Sequence, residues 1–406
     1  MENCNPITQC LACGSENLVA TLDLGTQPLA NNFRDTAHTQ YEKRYPLAIN
    51  RCTECNHLQL THAVDPKLIY THYLYVSGTS STYVGYMEWY ANFVNEQFEY
   101  WPAESVLDIG CNDGSQLDEF KKLNIQTYGV DPAENLFPIS RAKHLVVCGF
   151  WNEDSAACLN RNSFDIISTQ NSFAHIPNPM EYLQLAKKYL HDDGLIFIST
   201  SQADMVLNGE FDTIYHEHIS YYNAYSMQCL VRRAGLYLID VIKTPIHGTS
   251  YIFVLSKQPT NQRGIQNILA VEKDHGLMQA DTYTKWVSNL QRLLQSIHEQ
   301  INLYRDYGYR IVGYGAAAKG MTLLNAANIL LDVVIDDNPL KQGLFCPGSA
   351  IPVVNVNYLN SLKPDDKVVF IPLAWNFYDE IKGKIQAIRT NEHDIFMRYF
   401  PTLTCE

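Results

Sequence analysis

Between residues 105 and 257, short apolar runs alternate with stretches of helical period. VLDI (106–109), TYGVD (127–131), FDIISTQ (164–170), GLIFISTS (194–201), YLIDVIKT (237–244) and SYIFVLSK (250–257) are rich in β-branched and aromatic residues and read as strands. Leu117 and Phe120 open an amphipathic helix, and PMEYLQLAKKYL (179–190) has the spacing of another. Strands alternating with helices predict an open, mostly parallel sheet. Farther on, Trp286, Leu290, Leu293, Leu294, Ile297, Ile301 and Tyr304 fall at three- and four-residue steps, the stripe of a long helix that packs and does no chemistry. The strand pattern then restarts. Ile311 and Val312 form a strand, Gly313, Gly315 and Gly320 a glycine turn, and a helix follows. DVVIDDNPLKQG (332–343) is a strand ending in Asp336 and Asp337, and VVFIP (368–372) is a third, with AWNFYDEI at its carboxyl end. The predicted fold is α/β in three domains: 1–75, 76–260 and, after linking helices over 261–305, 306–406.

Length agrees, since 406 residues exceed what one core encloses. A net charge of −13 argues against a surface that tracks nucleic-acid phosphates. It leaves room for an anionic ligand, because helix N-termini bind phosphate without net positive charge. The polar start MENCNPITQC lacks the pattern of a signal peptide, and no apolar run approaches the roughly 18 residues of a membrane span. A cytoplasmic monomer is expected, with no membrane or nucleic-acid partner. The eleven cysteines are then mostly reduced, and paired spacings read as metal before disulfide.

CLAC at 10–13 and CTEC at 52–55 supply such pairs. Each C-x-x-C lets two thiolates from one tight turn reach one ion, so Cys10, Cys13, Cys52 and Cys55 complete a tetrahedral zinc site. Four cysteines leave no open position, which makes that zinc structural. A disulfide or four buried thiols are the alternatives.

SVLDIGCNDGSQLDEF (105–120) is the sharpest motif. A strand ending near Asp108 runs into the turn Gly110-Cys111-Asn112-Asp113-Gly114 and then a helix. Gly110 and Gly114 let a ligand approach the backbone, and Asp108 either fixes the turn or meets a ligand ammonium through water. About twenty residues on, Asp131 ends a second strand, where an acid takes ribose hydroxyls. The spacing D-x-G-x-x-x-G with that acid favours S-adenosylmethionine (SAM) over NAD; a ligand-free α/β turn is the plain alternative. Asn171 and His175 follow another strand end, either facing the ligand or closing a loop. In the last domain Gly315, Lys319 and Asp336 suit a second nucleotide-like ligand, with Lys319 on a phosphate or a sugar oxygen; a domain kept for packing is the alternative.

YHEHISYY (215–222) admits three readings. His216 and His218 share a face on a strand and form part of a metal site, or the segment is a satisfied polar loop, or a histidine is a general base. No nearby H-x-D or E-x-x-H supplies a third metal ligand, which favours the base.

The ordered set CLACG…CTECN, YLYVSGTSSTYV, VLDIGCNDGSQL, NSFAHIPNP, YHEHISYY, HGTS, GYGAAAKGMTLLN, DDNPLKQGLFCPGSAIPV and AWNF spans nearly the whole chain and resembles the SAM-dependent nucleotide-sugar C-methyltransferases. The resemblance implies a zinc-bearing N-terminal domain, a central SAM domain and a C-terminal Rossmann-like domain that helps hold the nucleotide sugar. It implies methyl transfer to C3 of a dTDP- or GDP-linked 4-keto-6-deoxy sugar in branched deoxy-sugar and polysaccharide biosynthesis. It gives His218 the role of base, with Tyr215 and Glu217 beside it, Asn171 and His175 as its N-x-x-x-H, Tyr75 near the sugar, and Lys319 as its turn lysine. The family commonly reads HGGSLR where this chain has HGTSYI, so Ile252 stands in place of an arginine. Chemically, removing a proton next to a ketone needs a placed base and enolate stabilisation; His218 suits the first and Tyr215 the second, while Glu217 orients His218 or is itself the base. An O- or N-methyltransferase on a nucleotide sugar or other small molecule, and a non-catalytic binding platform, are the competing functions.

Overall fold

A computed structural model describes residues 3–79, 81–98, 102–160, 163–200, 204–246, 249–259 and 263–406. The chain divides into two compact units. The first comprises 1–19, 50–204 and 219–278; the second comprises 20–49, 205–218 and 279–406. The stretch between the two cysteine pairs is therefore shared, with 20–49 belonging to the second unit.

The first unit is built on a seven-stranded sheet of β1 (Ser105–Ile109), β2 (Gln126–Asp131), β3 (Leu145–Cys148), β4 (Phe164–Gln170), β5 (Leu190–Thr200), β6 (Tyr237–Thr244) and β7 (Ser250–Ser256). Their order is β3-β2-β1-β4-β5-β7-β6. All neighbours are parallel except β7, which runs antiparallel to β5 and β6. The predicted bounds of β4 and β6 agree residue for residue, and Ser201 lies outside the described residues. β5 starts at Leu190, earlier than the apolar pattern shows, because Leu190 pairs with Phe164 across an irregularity in the ladder. Helices α1 (Ser81–Glu96), α2 (Ser115–Lys122), α3 (Pro179–Tyr189), α4 (Ala224–Arg233) and α5 (Arg263–Asp274) accompany the sheet. One core joins Leu107, Ile109, Tyr182, Leu230 and Phe253 to Cys10, Ala12, Cys52 and Cys55, so the cysteine module shares the sheet's core.

The second unit contains α6 (Ala280–Asp306), whose Trp286, Leu290, Ile297 and Ile301 are buried as the stripe predicts. Its six-stranded sheet comprises β8 (Arg310–Tyr314), β9 (Val333–Ile335), β10 (Val353–Val354), β11 (Val368–Pro372), β12 (Ile395–Arg398) and β13 (Thr404–Cys405). The order is β10-β9-β8-β11-β12-β13, a doubly wound arrangement with only β13 antiparallel. Helices α7 (Ala318–Ala326) and α8 (Tyr378–Ile388) follow β8 and β11.

The glycine turn after β8 needs a correction. Only Gly315 makes it, with φ of 90°. Gly313 lies within β8 and Gly320 within α7, and a Cβ on them would come within 2.7 Å of Leu331 and Leu373 respectively. They sit where Leu331 and Leu373 approach closely, and they do not make the turn.

Candidate functional site

The four sulfurs of Cys10, Cys13, Cys52 and Cys55 lie within 4.8 Å of one another. Cys10 meets Cys55, and Cys13 meets Cys52, at 3.5 Å. Four thiolates about 2.3 Å from one zinc stand about 3.8 Å apart, so the set fits a tetrahedral ion. Both knuckles are wound to suit: the amide of Gly14 (φ 81°) donates to the Cys10 carbonyl at 2.8 Å, and that of Asn56 (φ 56°) to the Cys52 carbonyl at 3.0 Å. Among the described residues this is the one cluster of three or more histidines, cysteines or acids arranged for a metal.

The turn after β1 has the left-handed residues its sequence requires, Gly110 (φ 86°), Asn112 (φ 51°) and Gly114 (φ 84°). A Cβ on Gly110 would lie 2.6 Å from the Ser172 hydroxyl. Asp131 fixes the turn to β2: its Oδ2 accepts from the Asn112 amide and its Oδ1 from the Ala133 amide, each at 2.8 Å. Asp108 is 3% exposed, and its Oδ1 has no partner among the described residues. Burial pushes its carboxyl up to about 7, with the charge of Asp131 adding to the shift and a hydrogen bond from Ser168 opposing it. A cofactor carrying an ammonium and ribose hydroxyls fits this orphaned oxygen and acid-closed turn.

A second layer was silent in the sequence. The amides of Ser77 and Gly78 donate to Asn112 Oδ1 at 3.0 Å and Asp113 Oδ2 at 3.1 Å, and Asn112 Nδ2 donates to the Tyr75 carbonyl at 3.1 Å. The Tyr75 ring itself is 41% exposed. Asn171, at φ of 52°, donates to the Tyr83 hydroxyl at 3.2 Å. The His175 ring stacks on Tyr70 with centroids 5.3 Å apart, and burial pushes it down to about 3, so it is neutral. Asn171 and His175 are thus each met by a tyrosine of the 70–83 stretch. Ser80, His247 and Gly248, within two of the quoted motifs, lie outside the described residues. Ile252 is fully buried in one apolar cluster with Val106, Phe197 and Val254.

In the second unit, residues 210–218 form neither helix nor strand, only turns closed by Ile214 N–H to the Phe211 carbonyl and His218 N–H to the Tyr215 carbonyl, each at 2.9 Å. His218 is 4% exposed. Its Nδ1 lies 2.8 Å from the Thr213 carbonyl and its Nε2 lies 3.0 Å from the Tyr215 hydroxyl. A carbonyl only accepts, so Nδ1 carries a proton, and in the neutral ring Nε2 presents its lone pair. Glu217 is buried and accepts from Asn31 Nδ2 at 2.6 Å. The His216 Nε2 lies 3.3 Å from the Tyr45 carbonyl, and burial pushes its ring down to about 4. The two histidines thus turn their nitrogens to different partners, which separates them as metal ligands.

The turn after β8 repeats the construction after β1. The Gly315 amide donates to the Ile335 carbonyl at 2.7 Å as that of Gly110 does to Val130 at 2.8 Å. Asp336 accepts from the amides of Ala316 at 2.6 Å and Asn338 at 2.7 Å, as Asp131 does from Asn112 and Ala133. Lys319 lies 4.9 Å from the Trp375 ring centre and 4.0 Å from Glu210. Lys341, which the sequence reading passed over, donates to the Ala316 carbonyl at 2.8 Å and lies 5.0 Å from the Phe33 ring centre. Burial lowers its ammonium, while the charges of Asp336 and Glu217 hold it up.

Three family models match successive parts of the chain. Residues 10–70 match the family described as "Putative zinc binding domain", 87–241 a "Methyltransferase domain", and 245–401 a "C-methyltransferase C-terminal domain". The chain is 29% identical over 387 residues to the C-methyltransferase NovU of Streptomyces niveus, covering 93% of this chain and 91% of that one. A ubiquinone biosynthesis O-methyltransferase of Glaesserella parasuis is 32% identical over 117 residues, 27% of this chain and 50% of that one. Among solved structures, the PH0226 protein of Pyrococcus horikoshii is 13% identical, with a TM-score of 0.37 over 48% of this chain and 98% of that one. In its four-cysteine zinc module, its methyltransferase sheet and its C-terminal domain, the chain is similar along nearly its whole length to zinc-bearing, SAM-dependent C-methyltransferases.

Proposed function

We propose that the acceptor is a nucleotide-linked 4-keto-6-deoxy sugar, dTDP- or GDP-bound, and that His218 removes the C3 proton so that C3 takes the methyl group. The observation that carries this reading is the fixed tautomer of His218, with Nε2 free of its own proton and a phenol 3.0 Å away. A carbon acid next to a ketone needs a base aimed at the proton and a donor for the enolate oxygen. His218 Nε2 is the base in this reading. Tyr215 is the donor, giving up its bond to His218 as substrate binds. Glu217, pinned by Asn31, is an acceptor for a sugar hydroxyl. Bound SAM supplies an electrophilic methyl group, and Asp108, Gly110, Asn112, Gly114 and Asp131 are the residues that hold it. Asn171, His175 and Tyr75 orient the acceptor.

The nucleotide half of the reading is supported by the repeated construction around Gly315 and Asp336, an acid-closed turn of the kind that takes ribose hydroxyls, with Lys319 at the helix start for a phosphate. The test is a product screen. Purified protein, SAM and dTDP- or GDP-linked 4-keto-6-deoxy sugars are incubated and read by mass spectrometry for the gain of one methylene. In D2O without SAM, the same sugar gains deuterium at C3. Methylation of a hydroxyl or amine with no deuterium at C3 refutes the reading in favour of O- or N-methyl transfer.

A further inference from the structure

Asp212 lies in the same irregular segment as His218 and is used by nothing described so far. It is 1% exposed. Its Oδ2 accepts two bonds at 2.8 Å, from the Trp375 indole N–H and from the Tyr399 hydroxyl. Its Oδ1 has no partner among the described residues. Tyr399 also meets the Leu373 carbonyl at 2.9 Å, just past the end of β11. Burial first, then the charges of Asp212 and Glu210, pushes the Tyr399 phenol well above its usual range, so it keeps its proton and stays a donor.

The neighbouring anchors hold main chain. The Trp286 indole N–H donates to the Glu210 carbonyl at 3.0 Å, and the Thr322 hydroxyl to the Ile214 carbonyl at 3.2 Å. Between those points, Asp212 is the side chain through which the segment grips the end of the sheet. The next residue, Thr213, presents both its carbonyl, at 2.8 Å, and its hydroxyl, at 3.2 Å, to Nδ1 of His218. A segment with no helix or strand has only such anchors to set the position of a carbonyl.

We propose that Asp212 is a positioning residue for His218: by tying the segment to Trp375 and Tyr399 it holds the Thr213 carbonyl on Nδ1, and so keeps Nε2 unprotonated. The proposal rests on His218 being the base, but its test does not need a substrate. Hydrogen bonding of the imidazolium to a fixed carbonyl favours the charged ring and selects the Nδ1–H tautomer when neutral. Loosening that carbonyl lowers the titration midpoint and mixes the tautomers. Among the described residues, the titratable group bonded to Asp212 is Tyr399, with Glu210 acting on that phenol and Lys319 4.0 Å from Glu210; the one bonded to His218 is Tyr215.

The experiment is nitrogen-15 NMR of the full-length, zinc-loaded protein with labelled histidine, the His218 signals being those lost in His218→Ala. In wild type the neutral ring carries its proton on Nδ1. Asp212→Asn keeps an oxygen for both donors and leaves tautomer and midpoint as in wild type. Asp212→Ala shifts His218 toward mixed tautomers and lowers its midpoint by about half a unit or more. Tyr399→Phe, which removes one donor at nearly constant volume, moves both in the same direction by less; it replaces Asp212→Ala if that variant does not fold. Unchanged His218 signals in Asp212→Ala, or in Tyr399→Phe where it stands in, overturn the proposal. In turnover, Asp212→Ala loses kcat by about 30-fold or more with KM for SAM within about threefold. A His218→Ala enzyme that still methylates fully refutes the base assignment, whereas the NMR shift decides on Asp212 alone.

Discussion

The Tyr215 hydroxyl stands 3.0 Å from Nε2 of His218, on the side of the ring opposite the Thr213 carbonyl. One contact fixes a proton on Nδ1, and in the proposed reaction the other occupies the place of the substrate proton. A placed general base contributes about 100- to 10,000-fold. His218→Ala is therefore expected to lose at least about 100-fold in methyl transfer and in deuterium exchange at C3, with SAM affinity unchanged by calorimetry. Tyr215→Phe loses about tenfold, the worth of one neutral hydrogen bond. His216 sets the contrast. Buried and neutral against the Tyr45 carbonyl, it serves to hold the segment, so His216→Gln loses less than about tenfold. Equal losses for the two histidines would refute this division and revive a shared metal.

The proposed place of Asp108 in the SAM site makes binding depend on pH. Burial pushes its carboxyl up to about 7 from an ordinary value near 3.8. Below about pH 4 both folded and unfolded chains hold the proton, and there is no cost. As pH rises toward 7 the unfolded chain loses the proton and the folded one does not, so stability falls, by on the order of 4 kcal/mol in all, and then levels off. Asp108→Asn removes this penalty. Without SAM, the variant should melt higher than wild type at pH 8 and equally at pH 4. A SAM ammonium at Oδ1 draws the carboxyl into its charged form, so at pH 6 binding releases a proton and affinity rises with pH up to about 7. Calorimetry in buffers of different ionisation heat measures that proton; uptake instead of release would contradict the assignment.

The matched turns at Asp131 and Asp336 invite a crossed test. Each acid closes a glycine turn by accepting two backbone amides. Asp131→Ala should weaken SAM binding by about 10- to 100-fold while leaving the nucleotide sugar within about threefold, and Asp336→Ala should do the reverse. Losses in the same ligand for both variants would remove the second nucleotide site from the reading.

Much of this was legible because the governing interactions are local. The bounds of β4, β6 and β11 follow from runs of branched and aromatic residues, and each C-x-x-C is a complete turn in four positions. The partners of YHEH were not legible. Asn31 and Tyr45 stand 186 and 171 residues before the side chains they hold, and no period connects them. Nor were the amides of Ser77 and Gly78, since a backbone donor looks the same in every sequence. Gly313 and Gly320 resembled turn residues because the letter is the same whether glycine serves a positive φ or a close approach; the nearness of Leu331 and Leu373 decides between them.

Zinc should stabilise the whole methyltransferase unit, not a separate finger. Cys10, Cys52 and Cys55 are 2%, 0% and 1% exposed and share a core with Leu107 and Ile109 of β1, the strand that runs into the glycine turn, and with Phe253 of β7. Removing the ion leaves thiols that must take protons in an apolar setting and two knuckles with nothing to join them. The last residue of α4 adds to the coupling, since Arg233 Nη1 donates to the Ala12 carbonyl at 2.6 Å. One zinc per chain is expected by elemental analysis. Chelation, or Cys55→Ser, should lower the melting temperature by about 10 °C or more, because a few kcal/mol in a unit of this size moves the midpoint by that amount. The loss should appear in a single transition that also abolishes SAM binding, and added zinc should restore the chelated wild-type protein but not Cys55→Ser. Cys4 is equally buried but has no thiol partner in the cluster, so Cys4→Ala should retain the full zinc content. If chelation instead leaves SAM affinity intact and melts only a minor, early transition, the shared core does not couple the two, and the cysteine module folds on its own.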